Sequence, residues 1–405
     1  MTRNFSDKTK YHINLNETYG AHNYKPLDII ISKGEGVWVW DIDGKKYLDM
    51  LSAYSALNQG HRHPKIMETL FRQANLLTLT SRAFHNDRLG EFCKKLAELC
   101  EMEMVLPMNT GAEAVETAIK LARKWAYVVK KIPMYEAKII VCANNFHGRT
   151  TTIVSFSSEE HYRYYFGPFT PGFKIVEYDS IESIKKALTP DTCAILVEPI
   201  QGEAGIIVPK DGYLKELRRI CSDNNMLLIL DEIQTGLGRT GKLFCYQHEN
   251  IKPDILILGK ALGGGVIPIS AVVSTGKLLG LFTPGEHGST FGGNPLACAV
   301  AITALDVIIE ENLPQRAEKS GSYFIGELKK IRNELIKEIR GKGLLIGVEL
   351  KPEAGGARKY CEKLAEEGLL CKETHENVVR FAPPLIISKD EIDWALDRIK
   401  KVFAS

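Results

Sequence analysis

The chain has 405 residues, 44% of them hydrophobic and 25% charged, with a net charge of +2. That length exceeds what one core usually supports, so two domains of ordinary globular-enzyme composition are expected. The balanced charge gives no reason to expect a nucleic-acid partner, and no apolar run reaches the roughly 18 residues of a membrane span. Nine cysteines are scattered without a Cys-x-x-Cys pair. This fits reduced thiols in a cytoplasmic protein and argues against zinc or a disulfide framework.

Residues 1–16 are polar and lack an apolar core, and are expected to be neither a signal nor a transit peptide. Residues 17–60 read as a lead-in and an antiparallel piece, with 37–40 and 46–48 flanking a turn that contains Gly44. Residues 18–24 show no clean period, and Tyr19, His22 and Tyr24 are either plain packing or the wall of a site. His61 and His63 alternate without a neighbouring carboxylate, so loop packing is expected there and no metal site. A helix is predicted to open at 109–114 (Asn-Thr-Gly-Ala-Glu-Ala), with Val115, Ala118, Ile119, Ala122 and Trp125 on one apolar face. Glu113 and Glu116 fall in its first turns, where the helix dipole favours negative charge. Such a Thr-Gly start also leaves backbone N–H groups able to hold a phosphate. Residues 138–142 read as a strand, after which Arg149 is either a cation at a strand end or a surface arginine.

The stretch 191–265 is the most informative. Three short apolar runs, 193–197, 226–230 and 254–258, end at Glu198, at Asp231, and at Gly259 with Lys260. Runs apolar throughout suit strands buried on both faces of a parallel sheet. Roughly thirty residues separate the run ends, room for one crossover, and the first gap holds Leu214, Leu217 and Cys221 at helical spacing. Open α/β sheets bind ligands at the carboxyl ends of their strands, so two carboxylates and a lysine there are placed like a site. The bland alternative is a salt bridge capping the sheet. Downstream lie glycines 263–265, a strand at 270–274, a loop at 288–293 bearing the hydroxyls of Ser289 and Thr290, and an apolar helix over 297–310. Beyond it, charged helices (314–339, 357–367, 389–403) alternate with short strands (344–349, 378–381), an α+β pattern that reads as a second, smaller domain.

A lysine at a strand end beside glycines has room to form a Schiff base. An aspartate in the same layer can pair with a pyridinium nitrogen and keep it protonated. With a phosphate-holding helix start, these meet the requirements of pyridoxal 5'-phosphate chemistry, in which the freed lysine carries a proton between carbon atoms.

On these residues the chain resembles the class III, fold-type I aminotransferases, and within them the ornithine-type enzymes, along nearly its whole length. The motifs are Asn-Thr-Gly-Ala-Glu-Ala at 109–114, Phe-His-Gly-Arg-Thr at 146–150, Val-Glu-Pro-Ile-Gln-Gly-Glu at 197–203, Leu-Asp-Glu-Ile-Gln-Thr-Gly at 230–236, Leu-Gly-Lys-Ala-Leu at 258–262 and Gly-Ser-Thr-Phe-Gly-Gly-Asn-Pro at 288–295. The resemblance implies an α/β fold: a large cofactor-binding domain with a mostly parallel central sheet (49–300) and a small α+β domain built from both chain ends (1–48 and 301–405). It implies that Lys260 carries the cofactor, Asp231 pairs with the ring nitrogen, Gln234 contacts the ring hydroxyl, Phe146 stacks on the ring, and Gly111 and Ala112 give N–H groups to the phosphate. Ser289 and Thr290 would reach that phosphate from a neighbouring subunit, making a homodimer with shared sites.

Acetylornithine and γ-aminobutyrate aminotransferases share most of these motifs. The segment 19–24 with Tyr24, Ala204 after Glu203, and the run around Arg380 resemble the ornithine enzymes, whereas His147 departs from those carrying Trp there. The implied reaction moves the δ-amino group of ornithine to 2-oxoglutarate; the alternative is an acetylornithine or other ω-aminotransferase. Arg149 is suited to hold ornithine's carboxylate as a bidentate fork, with Tyr24 and Tyr54 orienting its α-amino end. Arg380 matches the family's second cation for 2-oxoglutarate, with Glu203 covering it while ornithine reacts, and Glu198 would help orient the groups around Gln234. A cofactor-binding protein without catalysis is the rival from another class, and a Schiff-base lysine paired with Asp231 argues against it.

Overall fold

The computed structural model describes residues 5–403; residues 1–4 and 404–405, which belong to the expected polar N-terminus and small domain, lie outside them. At the centre is a seven-stranded sheet in the order Met104–Met108, Ser270–Ser274, Ile255–Leu258, Leu227–Asp231, Thr192–Val197, Lys138–Cys142, Phe173–Val176. Neighbours are parallel except at Ser270–Ser274, which runs antiparallel to the strands on both sides. The three apolar runs are central strands because both of their faces are covered. Successive side chains of a strand point to opposite faces. Ile195, Val197, Leu228, Leu230, Leu256 and Leu258 therefore enter one core, shared with Leu214, Leu217 and the helix Pro295–Glu310. Ala194, Leu196, Leu227, Ile229, Ile255 and Ile257 enter another, built on the helix Gly111–Val128.

Two further sheets carry the chain ends. In one, Ile31–Glu35, Trp38–Asp41 and Lys46–Asp49 are antiparallel and Leu369–Leu370 adds parallel to Lys46–Asp49, so early and late segments share one ladder. In the other, Ile336–Lys342, Leu345–Leu350, Val378–Phe381 and Lys372–Thr374 are all antiparallel. No helix among the described residues is long and apolar enough to cross a membrane.

The fold departs from the sequence reading in three places. The helix expected over 314–339 is Leu313–Leu328, and Ile336–Lys342 is a strand. Between them Asn333 Oδ1 accepts the N–H of Leu335 at 2.7 Å. Such a local bond competes with the helix, and the β-branched Ile336 and Ile339 suit a strand. The polar N-terminal stretch contains a helix, Asp7–Tyr19, capped by Ser6, whose Oγ accepts the N–H of Thr9 at 3.1 Å. His61 and His63 do have carboxylate partners, brought from far along the chain: Asp49 at 2.8 Å and Glu311 at 2.9 Å. Each histidine ties two segments together.

One segment carries backbone strain. Ser52, Ala53, Tyr54 and Ser55 have φ of 43°, 48°, 59° and 70°, a left-handed turn without a glycine. Left-handed non-glycine residues cost on the order of 1–3 kcal/mol each and persist only where the surroundings hold them. Asp49 Oδ1 accepts the N–H groups of Leu51 and Ser52, at 2.9 and 2.8 Å, and so fixes the start of the turn.

The helix Leu313–Leu328 lies hard against the turn joining Ile336–Lys342 to Leu345–Leu350, the strand that pairs with Val378–Phe381. A Cβ on Gly321 would sit 1.9 Å from the carbonyl oxygen of Gly343. Gly321→Ala is therefore expected to cost roughly 1–3 kcal/mol through forced overpacking, lowering the thermal unfolding midpoint. An unchanged midpoint would show that the helix and the turn are free to separate.

Candidate active site

Three adjacent parallel strands deliver the charged groups to one edge of the sheet. Val197 stands opposite Leu230 and Asp231 opposite Ile257, so Glu198, Asp231 and Lys260 emerge side by side. Lys260, at φ 46°, leaves the strand immediately after Gly259 and starts a short 3-10 turn, Lys260–Gly263. Its amine has no hydrogen-bond partner among the described residues. A cavity of about 200 Å³, open at its mouth, is lined by Lys260, Asp231, Glu198, Gln234, Phe146 and the helix start at Gly111 and Ala112. His147, Gly148, Ile200, Ile233 and Thr235 complete the wall.

The helix start is built by its own cap. Thr110 Oγ accepts the N–H of Glu113 at 3.2 Å, and Glu113 Oε2 accepts those of Thr110 at 2.7 Å and Asn109 at 2.9 Å. The N–H groups of Gly111 and Ala112 have no partner among the described residues and face a cavity at the positive end of a helix dipole, an arrangement suited to an anion. The loop bearing Phe146 packs flush against this end. Gly148, at φ 128°, permits it, since a Cβ there would lie 2.9 Å from Ala112 Cβ.

Buried charges set the electrostatics. Asp231 Oδ1 accepts the N–H of Ile233 at 3.0 Å, and Asp231 Oδ2 is 2.7 Å from Nδ1 of the buried His147. Burial alone would lower the His147 pKa, but the hydrogen bond to Asp231 and the charges of Asp231 and Glu198 outweigh it and raise the value. His147 Nε2 is buried without a hydrogen-bond partner among the described residues. Burial lifts the Glu198 carboxyl to about 7 against the pull of His147; its oxygens accept the N–H groups of Phe146 at 3.0 Å and Gly202 at 3.4 Å, and neither touches Gln234. Burial lowers the Lys260 pKa to about 8, with Glu203 opposing and Arg380 adding to the shift. Much of this amine is therefore neutral near pH 8, available as nucleophile or base.

A second cluster adjoins the first through Gln234. The buried Arg380 donates from Nη1 to Glu203 Oε1 at 2.9 Å, and from Nη2 to Gln234 Oε1 at 2.9 Å and Ser55 Oγ at 3.2 Å. Gln234 Nε2 donates to Glu203 Oε1 at 3.0 Å. Burial would raise the Glu203 carboxyl, but Arg380 and Lys260 hold it below the usual carboxylate value. Tyr54 faces Arg380, with the guanidinium 5.8 Å from its ring centre; burial raises its pKa, with the Glu203 charge adding to the shift, and Tyr24 is 72% exposed. Arg149 is exposed; its guanidinium lies 4.0 Å from the ring centre of Tyr162 and 5.4 Å from that of Phe146. Ser289 Oγ accepts from Asn109 Nδ2 at 2.7 Å, beside the helix start, and Thr290 is exposed.

Of the residues marked in the sequence, Lys260, Asp231, Glu198, Gln234, Phe146, Gly111 and Ala112 thus share one cavity. Glu203, Arg380 and Tyr54 form the adjoining cluster, while Tyr24, Arg149, Ser289 and Thr290 stand outside both. Ser55, and His147 as the partner of Asp231, were not singled out. His147 had a visible signal in its position between Phe146 and Gly148. Ser55 had none, since its role depends on a turn without glycine.

The His147–Asp231 pair has a direct signature. In the protein without bound ligand, the His147 imidazole should titrate above the ordinary histidine value of about 6.5. In Asp231→Asn the hydrogen bond to the Asp231 carboxylate and its charge are lost, while burial and the weaker pull of Glu198 remain, so the midpoint should fall. NMR titration of carbon-labelled histidine reads both, and a midpoint that Asp231→Asn leaves unmoved would refute the pairing.

Residues 19–403 match the Aminotransferase class-III family. An ornithine aminotransferase of Brevibacillus brevis is 63% identical over 395 residues, covering 98% of either chain. The structure of an ornithine aminotransferase from Toxoplasma gondii, with pyridoxal phosphate at partial occupancy in its active site, superposes with a TM-score of 0.97 at 49% identity, over 98% of this chain and 94% of that one. An acetylornithine aminotransferase from Elizabethkingia anophelis superposes at 0.89 with 49% identity, over 98% and 99% of the two chains. With its lysine, aspartate and helix start gathered in one cavity, the chain belongs to the class-III aminotransferase family.

Proposed function

We propose that this chain transfers the δ-amino group of L-ornithine to 2-oxoglutarate, giving L-glutamate 5-semialdehyde and L-glutamate. The observation that carries this reading is the joining of two clusters through Gln234: an unpartnered Lys260 amine beside Asp231, and an Arg380 covered by Glu203. The ornithine aminotransferase of Brevibacillus brevis, at 63% identity over nearly the full length, supports the choice of substrate.

The cavity fits pyridoxal phosphate. Lys260 offers a free amine, Asp231 an anion for a ring nitrogen, Phe146 an aromatic wall, and Gly111 and Ala112 two free N–H groups for a phosphate. When bound, the cofactor would supply an aldehyde for condensation with amines and an electron-withdrawing ring. The chain's own groups do the rest. Asp231, fixed by Ile233 N–H and His147, would hold positive charge at the ring nitrogen. Gln234 would contact the ring hydroxyl. Lys260, its basicity lowered by burial, would take the proton from the substrate carbon and return it to another atom.

Substrate choice would lie in the second cluster and around it. Ornithine brings one carboxylate, for Arg149, and an α-amino end for Tyr24 and Tyr54. In 2-oxoglutarate there are two carboxylates, and Arg380 is proposed to hold the second. While Glu203 covers Arg380, ornithine's carboxylate cannot take that position and present the wrong amine. Glu198 would support the loop of Phe146 through its backbone bond. An acetylated α-amino group carries no charge for the tyrosines to orient, which separates the acetylornithine reading from this one.

We also propose two domains divided as 49–300 against 1–48 with 301–405, and a homodimer in which Ser289 and Thr290 of one copy serve the phosphate held by the other. A cytoplasmic location is supported by nine free cysteines.

Two experiments bear on these roles. Lys260→Ala should fold normally yet lose cofactor attachment and nearly all turnover, and borohydride reduction of the native holoenzyme should label Lys260; label on another lysine would sink the assignment. Glu203→Ala should gain activity toward the α-amino group of glutamate relative to ornithine, while Arg380→Ala should impair the 2-oxoglutarate half-reaction more than the ornithine one. Single-turnover absorbance changes measure each half-reaction, and an unchanged glutamate-to-ornithine ratio in Glu203→Ala would reduce Glu203 to a structural partner of Arg380.

A further inference from the structure

Arg239 is a second fully buried arginine behind the pocket, and no carboxylate lies within ion-pair distance of it among the described residues. Its guanidinium is spent on four neutral oxygens from three separate segments. Nη1 donates to the carbonyls of Leu344 at 3.0 Å and Pro383 at 2.5 Å; Nη2 donates to Ser52 Oγ at 3.2 Å and Asn58 Oδ1 at 2.6 Å. Asn58 is fixed in turn, its Nδ2 donating to the Leu237 carbonyl at 2.9 Å and its own carbonyl accepting the N–H of Leu385 at 2.8 Å. Burying a charge without a counter-charge is costly, and an apolar side chain of similar size would fill that volume with less penalty. The position is therefore explained by what the guanidinium holds.

It holds the strained turn Ser52–Ser55 against the strand end of Arg380. Ser52 Oγ, bonded to Arg239, also donates to the carbonyl of Ala382, two residues beyond Arg380. The N–H of Ala382 donates to the Met50 carbonyl at 2.7 Å. At the far end of the turn, Ser55 Oγ accepts from Arg380 Nη2. If Glu203 departs, Arg380 loses its contact at Nη1 but keeps Gln234 and Ser55 at Nη2. Those two anchors then fix the guanidinium plane, with Nη1 left for a carboxylate.

We propose that Arg239 is a positioning residue for the dicarboxylate substrate: it locks the left-handed turn whose Ser55 keeps the Arg380 guanidinium in place once Glu203 has released it. This rests on the reading above, in which Arg380 receives the second carboxylate of 2-oxoglutarate. It adds Arg239 and Ser55 as residues that decide how well a dicarboxylate is held, without touching the reacting atoms.

The test compares native holoenzyme with Ser55→Ala and Arg239→Lys, using glutarate, an unreactive dicarboxylate, in calorimetric titration, and ornithine in single-turnover absorbance. Loss of its hydrogen bond to the charged Arg380 should raise the glutarate Kd about ten-fold in Ser55→Ala, while its ornithine half-reaction changes by less than about three-fold. Arg239→Lys, which frees the turn that also carries Tyr54, should weaken glutarate binding and slow the ornithine half-reaction together. A glutarate Kd within about two-fold of native in Ser55→Ala, or both readouts falling in step in that variant, would make the turn a mere strut. Should Arg239→Lys fail to fold, Ser55→Ala, which removes one hydroxyl, carries the test. If the native holoenzyme gives no half-reaction with ornithine, the ornithine reading fails, while the glutarate comparison still decides the roles of Ser55 and Arg239.

Discussion

The parallel register of three buried strands is the constraint on which the site depends. Val197 opposite Leu230 and Asp231 opposite Ile257 put Glu198, Asp231 and Lys260 on one edge. A slip of one residue in any of these strands would turn its alternating side chains to the other face. Ile229 would then exchange cores with Leu230, and Asp231 would point away from the cavity. Two separately packed cores, one on each face, oppose such a slip, so chemically neutral hydrophobic burial enforces the positions of Glu198, Asp231 and Lys260.

Within that frame the charges can be afforded only as a set. Asp231 is held by His147 and a backbone N–H, Glu203 by Arg380 and Gln234, and Glu198 by two backbone N–H groups. Buried ionic groups are tolerable when each is hydrogen-bonded, and removing one member exposes the desolvation cost of the others. Lys260 is the exception, with no hydrogen-bond partner among the described residues and a pKa lowered by burial. The same desolvation that destabilises its ammonium form makes its amine reactive. Its backbone at φ 46° adds strain at the same residue, as is common where function fixes a conformation.

Much of this was legible in the sequence, because short-range patterns encode it. Apolar runs without alternation announced strands covered on both faces, and each ended at the residue that reaches the cavity. The Thr-Gly start at 110–111 announced a helix N-terminus with free backbone N–H groups. What was not legible depends on partners distant in sequence. Nothing near His61 or His63 pointed to Asp49 or Glu311. The strand Ile336–Lys342 read as helix because its mixed residues fit either period, and only pairing with Leu345–Leu350 decides it. The left-handed turn at 52–55 lacks the glycines that usually mark such backbone, and its start is held at Ser52 by Asp49 and Arg239, nearly two hundred residues apart in the chain.

This division between local and distant causes follows the division of labour in the site. The groups proposed to act on the reacting atoms hang from contiguous strands of one sheet, where register positions them. The groups proposed to choose the substrate are assembled across segments: Arg380 on a strand of another sheet, Ser55 and Tyr54 on a strained turn, Glu203 on the loop after Val197. A change in the first set would disturb one rigid lattice and is expected to remove turnover. A change in the second shifts contacts between segments that each remain folded, and alters which substrate is held while Lys260 and Asp231 keep their places. Substrate preference can therefore drift among relatives that keep the same strand-end residues. That is consistent with an acetylornithine aminotransferase and an ornithine aminotransferase both superposing on this chain at 49% identity.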